Sequence, residues 1–174
     1  MLTVRPARNG DLPAVAEVHI AARNGYLRDV QTAEQLASWA VTVRGKYVPA
    51  LLTDPARALL VAELDGEVVG LALTGPPHDE TADPAAVGEL WQIHVRPDRH
   101  RRGIGQALHA ACVNEWRRRG VREAHVEVWE ANEGGRRFYD RLGYRFDART
   151  RPAYGDTWYI RLVADLSTGG AAAD

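Results

Sequence analysis

The sequence predicts an α/β (α+β) fold, a single domain over residues 1–166 in which strands and helices alternate. Three observations predict it. The apolar residues change period repeatedly along the chain, from strict alternation to helical spacing and back. Two apolar runs in "ALLVAELDGEVVGLALTG" flank Asp65-Gly66, a dipeptide that accepts the positive φ angles of a tight hairpin turn. The stretch "LWQIHVRPDRHRRGIGQALHAACVNEWRRRG", residues 90–120, passes from an apolar strand through an arginine- and glycine-rich turn into an amphipathic helix.

The elements follow in order. "LTVRPARNGD" opens as a strand, and Asp11 precedes "LPAVAEVHIAARNGY", a helix that tolerates Pro13 in its first turn. "TAEQLASWAVTVRG" reads as a second helix, capped by Thr32 and stopping near Gly45, with Pro49 and Pro55 marking irregular chain beyond. The hairpin comes next, then the loop "PPHDETADPAAVG", after which Glu89 begins a central strand. The helix after Gly105 buries Ala107, Leu108, Ala111, Cys112 and Trp116 and ends in "RRRG". "VREAHVEVWE" alternates as a strand. "NEGGRRFYDRLGY" is a short helix capped by Asn132 and stopped by Gly143, followed by "RFD" and a last strand "TWYIRLVADL". The tail, 167–174, has little to bury and is expected to be disordered.

Composition narrows the function. With 45% apolar and 26% charged residues among 174, the chain can bury a core. Its 22 basic residues balance 23 acidic ones, so nothing favours nucleic acid or an acidic membrane as partner. No apolar stretch approaches the roughly 20 residues that cross a bilayer. Cys112 is the single cysteine, which excludes an internal disulfide, and no secretory pattern opens the chain. A cytoplasmic location is the expectation. The six histidines (His19, His78, His94, His100, His109 and His125) show no zinc-motif spacing, so no metal is expected.

The basic character is local, at the corner "RRGIGQALH", and a strand-to-helix turn of that kind presents unpaired N–H groups to an anion. A nucleotidase phosphate loop needs Gly-Lys-Ser/Thr, and here Gln106 and Ala107 follow Gly105. The dinucleotide fingerprint needs Gly or Ala where Leu108 stands. Both readings fail, and a dehydrogenase recedes with them.

The chain resembles the GNAT superfamily of acyl-CoA-dependent N-acetyltransferases over nearly its whole length. Two blocks carry the resemblance in order and spacing: the corner, similar to the family's pyrophosphate-binding motif, and "VEVWEANEGGRRFYDRLGYRF", similar to its other CoA-contacting motif. The chain departs once, with His100 where the family usually has Arg or Gln, among Arg99, Arg101 and Arg102. The resemblance implies a central mixed, mostly antiparallel, splayed sheet flanked by about four helices. It implies acetyl-CoA as cosubstrate, held by Arg101, Arg102, Gly103, Ile104, Gly105 and Gln106 at the corner. Backbone groups near Ile93, His94 and Val95 would hold the pantetheine arm, with Asn132 and Tyr139 also in contact.

A protonated amine cannot attack a thioester until a base takes its proton. By the resemblance Glu89 is that base, commonly through a water, with His94 in reserve, and Tyr139 is the acid for the leaving sulfur. The ordinary alternatives are an exposed Glu89, a core Tyr139 and an Asn132 that only caps its helix. Cys112 sits on an apolar helix face with no base in view, so direct transfer in a ternary complex is favoured over an acyl-enzyme.

On the acceptor side Tyr26, Trp39, Tyr47 and Trp91 are candidate aromatic walls, and Asp79, Glu80 and Asp83 candidate attractors of a cation. A small-molecule amine or a peptide N-terminus fits. The competing reading is a non-catalytic acyl-CoA sensor or scaffold of the same fold. The resemblance also brings homodimerisation into view, though no pattern in the chain establishes it.

Overall fold

The computed structural model describes residues 1–167. Seven strands form one hydrogen-bonded sheet in the order β1-β2-β3-β4-β5-β7-β6. They are β1 (Leu2–Pro6), β2 (Ala58–Leu64), β3 (Glu67–Gly75), β4 (Val87–Val95), β5 (Glu123–Trp129), β6 (Arg145–Pro152) and β7 (Trp158–Asp165). Four helices of more than one turn accompany them: α1 (Leu12–Leu27), α2 (Ala33–Thr42), α4 (Ile104–Arg118) and α5 (Glu133–Arg141), with a single turn α3 (Val48–Ala50). The β4–β5 pair is parallel, and the β1–β2, β2–β3, β5–β7 and β6–β7 pairs are antiparallel. The sheet is therefore mixed and mostly antiparallel, as the family resemblance implied. No helix among the described residues is long and apolar enough to cross a membrane.

Contacts divide the chain into two compact units, residues 1–75 with 92–112, and residues 76–91 with those from 113 onward. The first buries Val15, Val18, Leu27, Val43, Val48, Leu51, Val61, Leu71 and Leu73, with α1 packed on β3. Its hairpin turns through Asp65 at φ 51° and Gly66 at φ 86°, the pair of positive angles that Asp-Gly accepts. Thr32 caps α2 in a reciprocal box: its hydroxyl accepts from the Gln35 N–H at 3.2 Å, and the Gln35 side chain accepts from the Thr32 N–H at 2.8 Å.

The expected stop at Gly45 does not occur. The chain continues through a π-helical turn, Val43–Tyr47, into α3, with Pro49 inside it. Gly45 does not take up the left-handed angle that ends a helix, and the buried Val43 and Val48 anchor the turns on either side.

The second unit buries Leu90, Trp116, Ala124, Val126, Val128 and Leu162. Strand β4 starts at Val87, two residues before the expected Glu89, so Glu89 is interior to the strand and buried. Asn132 caps α5 by accepting from the Gly135 N–H at 3.0 Å, and Gly143 at φ 84° ends the helical segment, with the Tyr144 N–H returning to the Tyr139 carbonyl.

Strand β6 is much longer than "RFD". It carries a register shift between Phe146 and Thr150, with Ala148 at φ 68°. As the last strand in the order it exposes most of its residues on both faces, so its charged sequence shows no apolar alternation. The expected disordered tail lies, beyond Ser167, outside the described residues.

A Cβ on Gly88 would stand 2.6 Å from the buried Trp116 indole, closer than real side chains approach. Gly88→Ala is expected to destabilise the fold by about 2 kcal/mol through overpacking. Thermal unfolding followed by circular dichroism checks this, and an unchanged midpoint would show that Trp116 can give way.

Candidate active site

In the first unit the corner is built by two left-handed residues. After β4 the Arg96 N–H bonds the Val69 carbonyl, Pro97–Arg99 form one 3-10 turn, and Arg101 at φ 59° and Gly103 at φ 75° turn the chain into α4. Only a residue without a side chain accepts the second of these angles easily, and a Cβ there would meet nothing within 4 Å. The first-turn N–H groups of α4 have no acceptor within the helix and carry its positive dipole end.

The arginines sort into two sets. Arg96 and Arg99 are engaged by Glu67, and Arg96 also by Asp98. Arg101 and Arg102 are exposed and form no ion pair among the described residues. His100 places Nε2 3.0 Å from the Val95 carbonyl, so where the family has Arg or Gln this side chain braces the turn. An exposed helix start with two unengaged arginines fits the pyrophosphate of CoA. Gly105 and Gln106 lie in that first turn, while the Ile104 side chain is buried and could serve a ligand only through its backbone.

On β4, Ile93 and Val95 are half-buried. His94 packs edge-on against His19 at 4.7 Å between ring centroids. His19 sits 3.2 Å by its Nδ1 from the Gln92 amide oxygen, and the Gln92 nitrogen donates to the Tyr47 hydroxyl. Tyr47 and Trp39 complete this aromatic cluster, with the Arg23 guanidinium 4.4 Å over the Trp39 ring. Burial holds His19 down to about 4 and His94 to about 3. A His94 imidazole so reluctant to charge is a poor proton acceptor. Tyr26 lies half-buried on α1. Cys112 is buried on α4, and burial pushes its thiol up to about 12, which suits a core residue and no nucleophile.

The second unit holds Glu89, only 2% exposed. One of its oxygens accepts from the His78 backbone N–H at 2.7 Å, and the other lies 2.5 Å from His78 Nδ1. Trp91 stacks on the His78 ring, centroids 4.5 Å apart and 25° from parallel, and its indole N–H donates to the Pro76 carbonyl at 2.9 Å. Glu127 on β5 stands nearby and is bonded by Arg151 at 2.5 Å.

His78, Glu89 and Glu127 bring one donor atom each within 4.8 Å of one another, the residue types of a metal site. The 2.5 Å separation of Nδ1 and carboxylate is that of a hydrogen bond, and Glu127 already has its cation, so the group is arranged around protons. Asp79, read from sequence as an attractor of amines, is instead paired with Arg149 and Arg161, and hydrogen bonds from the Thr81 hydroxyl and then Arg161 hold its carboxyl well below the usual range. Glu80 and Asp83 are exposed on the loop. Tyr139, two turns along α5 from Asn132, is 5% exposed with ring edges against Phe138 and Tyr144.

The Acetyltransferase (GNAT) family model matches residues 22–144. This chain belongs to the GNAT family. A GNAT relative, an uncharacterised N-acetyltransferase of Methanocaldococcus jannaschii, is 28% identical over 142 residues, covering 82% of this chain and 60% of that protein. The mycothiol acetyltransferase of Acidimicrobium ferrooxidans is 34% identical over 94 residues, 54% of this chain and 29% of that one. The GNAT chain thus spans less than two thirds of these relatives. Among solved structures, the PaiA N-acetyltransferase of Thermoplasma acidophilum in complex with coenzyme A shares the fold, with TM-score 0.74, 17% identity, and coverage of 92% of this chain and 98% of that one.

Each unit of this GNAT chain holds one polar residue that its sequence does not single out, His78 in the second and Gln92 in the first. His78 stands in a loop eleven positions before Glu89, with no motif to join them, and Gln92 is a plain amide between Glu89 and His94 on β4.

The buried histidines make stability pH-dependent in this GNAT protein. His19, His94 and His109 all have folded pKa values lowered below the ordinary 6.5 by burial. The unfolded chain therefore takes up protons first, and stability, full above about pH 7, falls as pH drops toward 4. Urea unfolding at several pH values is expected to show this decline with net proton uptake. Constant stability between about pH 7 and pH 5 would contradict it.

Proposed function

We propose that this protein transfers an acetyl group from acetyl-CoA to a primary amine, either a small molecule or a peptide N-terminus, by direct attack in a ternary complex. Family membership supports the donor and the reaction class, and the relative solved with coenzyme A agrees with the ligand. The observation that carries catalysis over mere binding is the Glu89–His78 pair. A buried carboxylate tied to an exposed imidazole supplies a proton acceptor, which transfer to an amine requires and acyl-CoA binding alone does not.

In this reading Arg101, Arg102 and the first-turn N–H groups from Gly103 to Gln106 hold the pyrophosphate. Backbone groups of Ile93, His94 and Val95 hold the pantetheine arm and meet the oxyanion as charge develops on the carbonyl. Asn132 contacts the arm beside its capping role. Glu89 supplies the negative charge that draws a proton from the amine, whose pKa near ~10.4 keeps it protonated at neutral pH. Tyr139 gives a proton to the departing sulfur, a modest contribution because a thiol pKa of about 8.5 already makes an adequate leaving group. Tyr26, Trp39 and Trp91 supply apolar surface to the acceptor.

Release of free CoA from acetyl-CoA is the assay, run with spermidine, tyramine, glucosamine and an alanine-initiated peptide. Wild type is expected to release CoA with at least one of them. Glu89→Gln is expected to lower kcat by about a hundredfold or more while acetyl-CoA affinity survives. Tyr139→Phe is expected to lose several-fold in turnover with an unchanged unfolding midpoint. Acetyl-CoA binding without CoA release for any amine would favour the sensor, and full activity in Tyr139→Phe would remove its acid role.

A further inference from the structure

We propose that His78, through its Nε2, is the group that takes the proton from the acceptor amine, and that Glu89 holds the ring from behind instead of meeting the amine itself. This rests on the acetyl-transfer reading and assigns the base within it.

The first argument is one of access. Glu89 is buried at 2%, whereas the His78 side chain is 48% exposed. The second is hydrogen-bond capacity. Both Glu89 oxygens are already engaged by His78, one by the backbone N–H and one at Nδ1. A carboxylate only accepts, so Nδ1 carries the proton of that bond, and the neutral ring then presents its lone pair at Nε2. No hydrogen bond to Nε2 exists among the described residues. The third is rigidity. The two-point attachment to Glu89 and the stack on Trp91 fix both the loop and the plane of the ring. A carboxylate behind an oriented imidazole is the arrangement by which other enzymes make a histidine a base.

The surrounding charges agree. Glu89 on β4 and Glu127 on β5 face the ring, and Arg151 on β6 neutralises Glu127. The bond to Glu89 holds the imidazole pKa above its ordinary 6.5, closer to that of an amine. Exposure lets the ring lose its proton to water after each turnover.

Nε2 takes one proton from the ammonium, and the freed nitrogen lone pair forms the C–N bond to the acyl carbon. The C–S bond breaks, the sulfur leaves as a thiolate, and the second nitrogen proton is lost as the amide forms. One proton ends on the sulfur, and the one on His78 passes to solvent.

The test is the pH dependence of CoA release with the amine, from the four named above, that wild type acetylates fastest. Wild type is expected to lose activity on the acid side with an apparent pKa in the imidazole range. His78→Gln, whose amide can still donate to Glu89, should lose about a hundredfold or more in kcat and lose that limb while remaining folded and keeping its acetyl-CoA affinity. Glu89→Gln should keep an imidazole limb displaced to lower pH, because the group that raises it is gone. His78→Gly should recover part of its rate when free imidazole is added, which a structural role would not give.

His78→Gln retaining wild-type kcat, with its acid limb moved into the carboxylate range, would return the base to Glu89 and overturn this inference alone. Activity abolished by EDTA and restored by zinc would also overturn it, since the same atoms would be holding an ion. A wild type that binds acetyl-CoA and acetylates none of the amines would bring down the acetyl-transfer reading and this assignment together.

Discussion

A carboxylate buried in the middle of a strand must have its oxygens hydrogen-bonded, because an unpaired buried charge costs far more than one bond returns. Glu89 meets that requirement entirely through His78. The constraint reaches outward from there. The loop before β4 has to return close enough for both the backbone N–H and the ring of one residue to reach the same carboxylate. Trp91 then closes over the ring, and its indole N–H fastens the start of the loop at Pro76. Beside Glu89, Gly88 leaves the room that the Trp116 indole occupies. A single buried carboxylate thus decides how its loop is packed.

The anion corner obeys a different economy of charge. The chain as a whole is near neutral, at −1, and about half of its arginines, Arg5, Arg44, Arg96, Arg99 and Arg161 among them, are tied to carboxylates. Arg101 and Arg102 are the exception at the corner, standing exposed where two left-handed residues turn the chain into α4. Dipole, unsatisfied N–H groups and side-chain charge all act at the same place there. His100 gives up the direct role of the family's Arg or Gln and holds the turn by the Val95 carbonyl instead. An anion held there would rest on backbone geometry more than on one side chain.

Much of this was legible in the residues. Asp65-Gly66, the Thr32–Gln35 cap, the Asn132 cap and the Gly143 stop each act locally, and local chemistry is written in adjacent letters. The family resemblance located the corner and placed Glu89 on the central strand. What could not be read depends on partners distant in sequence. Strand β6 lacks apolar alternation because it lies at the sheet's edge, and the chain after α2 stays helical past Gly45, through the π turn into α3, because buried valines hold the turns. The burial of Glu89 and its union with His78 depend on how an irregular loop folds back. Asp79 was misread for the same reason, since Arg149 and Arg161, which claim it, lie on β6 and β7.

Acyl transfer by this chain requires acyl-CoA at the corner, and ligand-linked stability tests that most directly. The thermal unfolding midpoint would be measured alone, with acetyl-CoA, and with NADH at equal concentration. Acetyl-CoA at about a hundred times its dissociation constant should add ~2.7 kcal/mol, a rise on the order of 5–10 °C, while NADH leaves the midpoint where it was. No rise with acetyl-CoA, or an equal rise with both, would contradict the account.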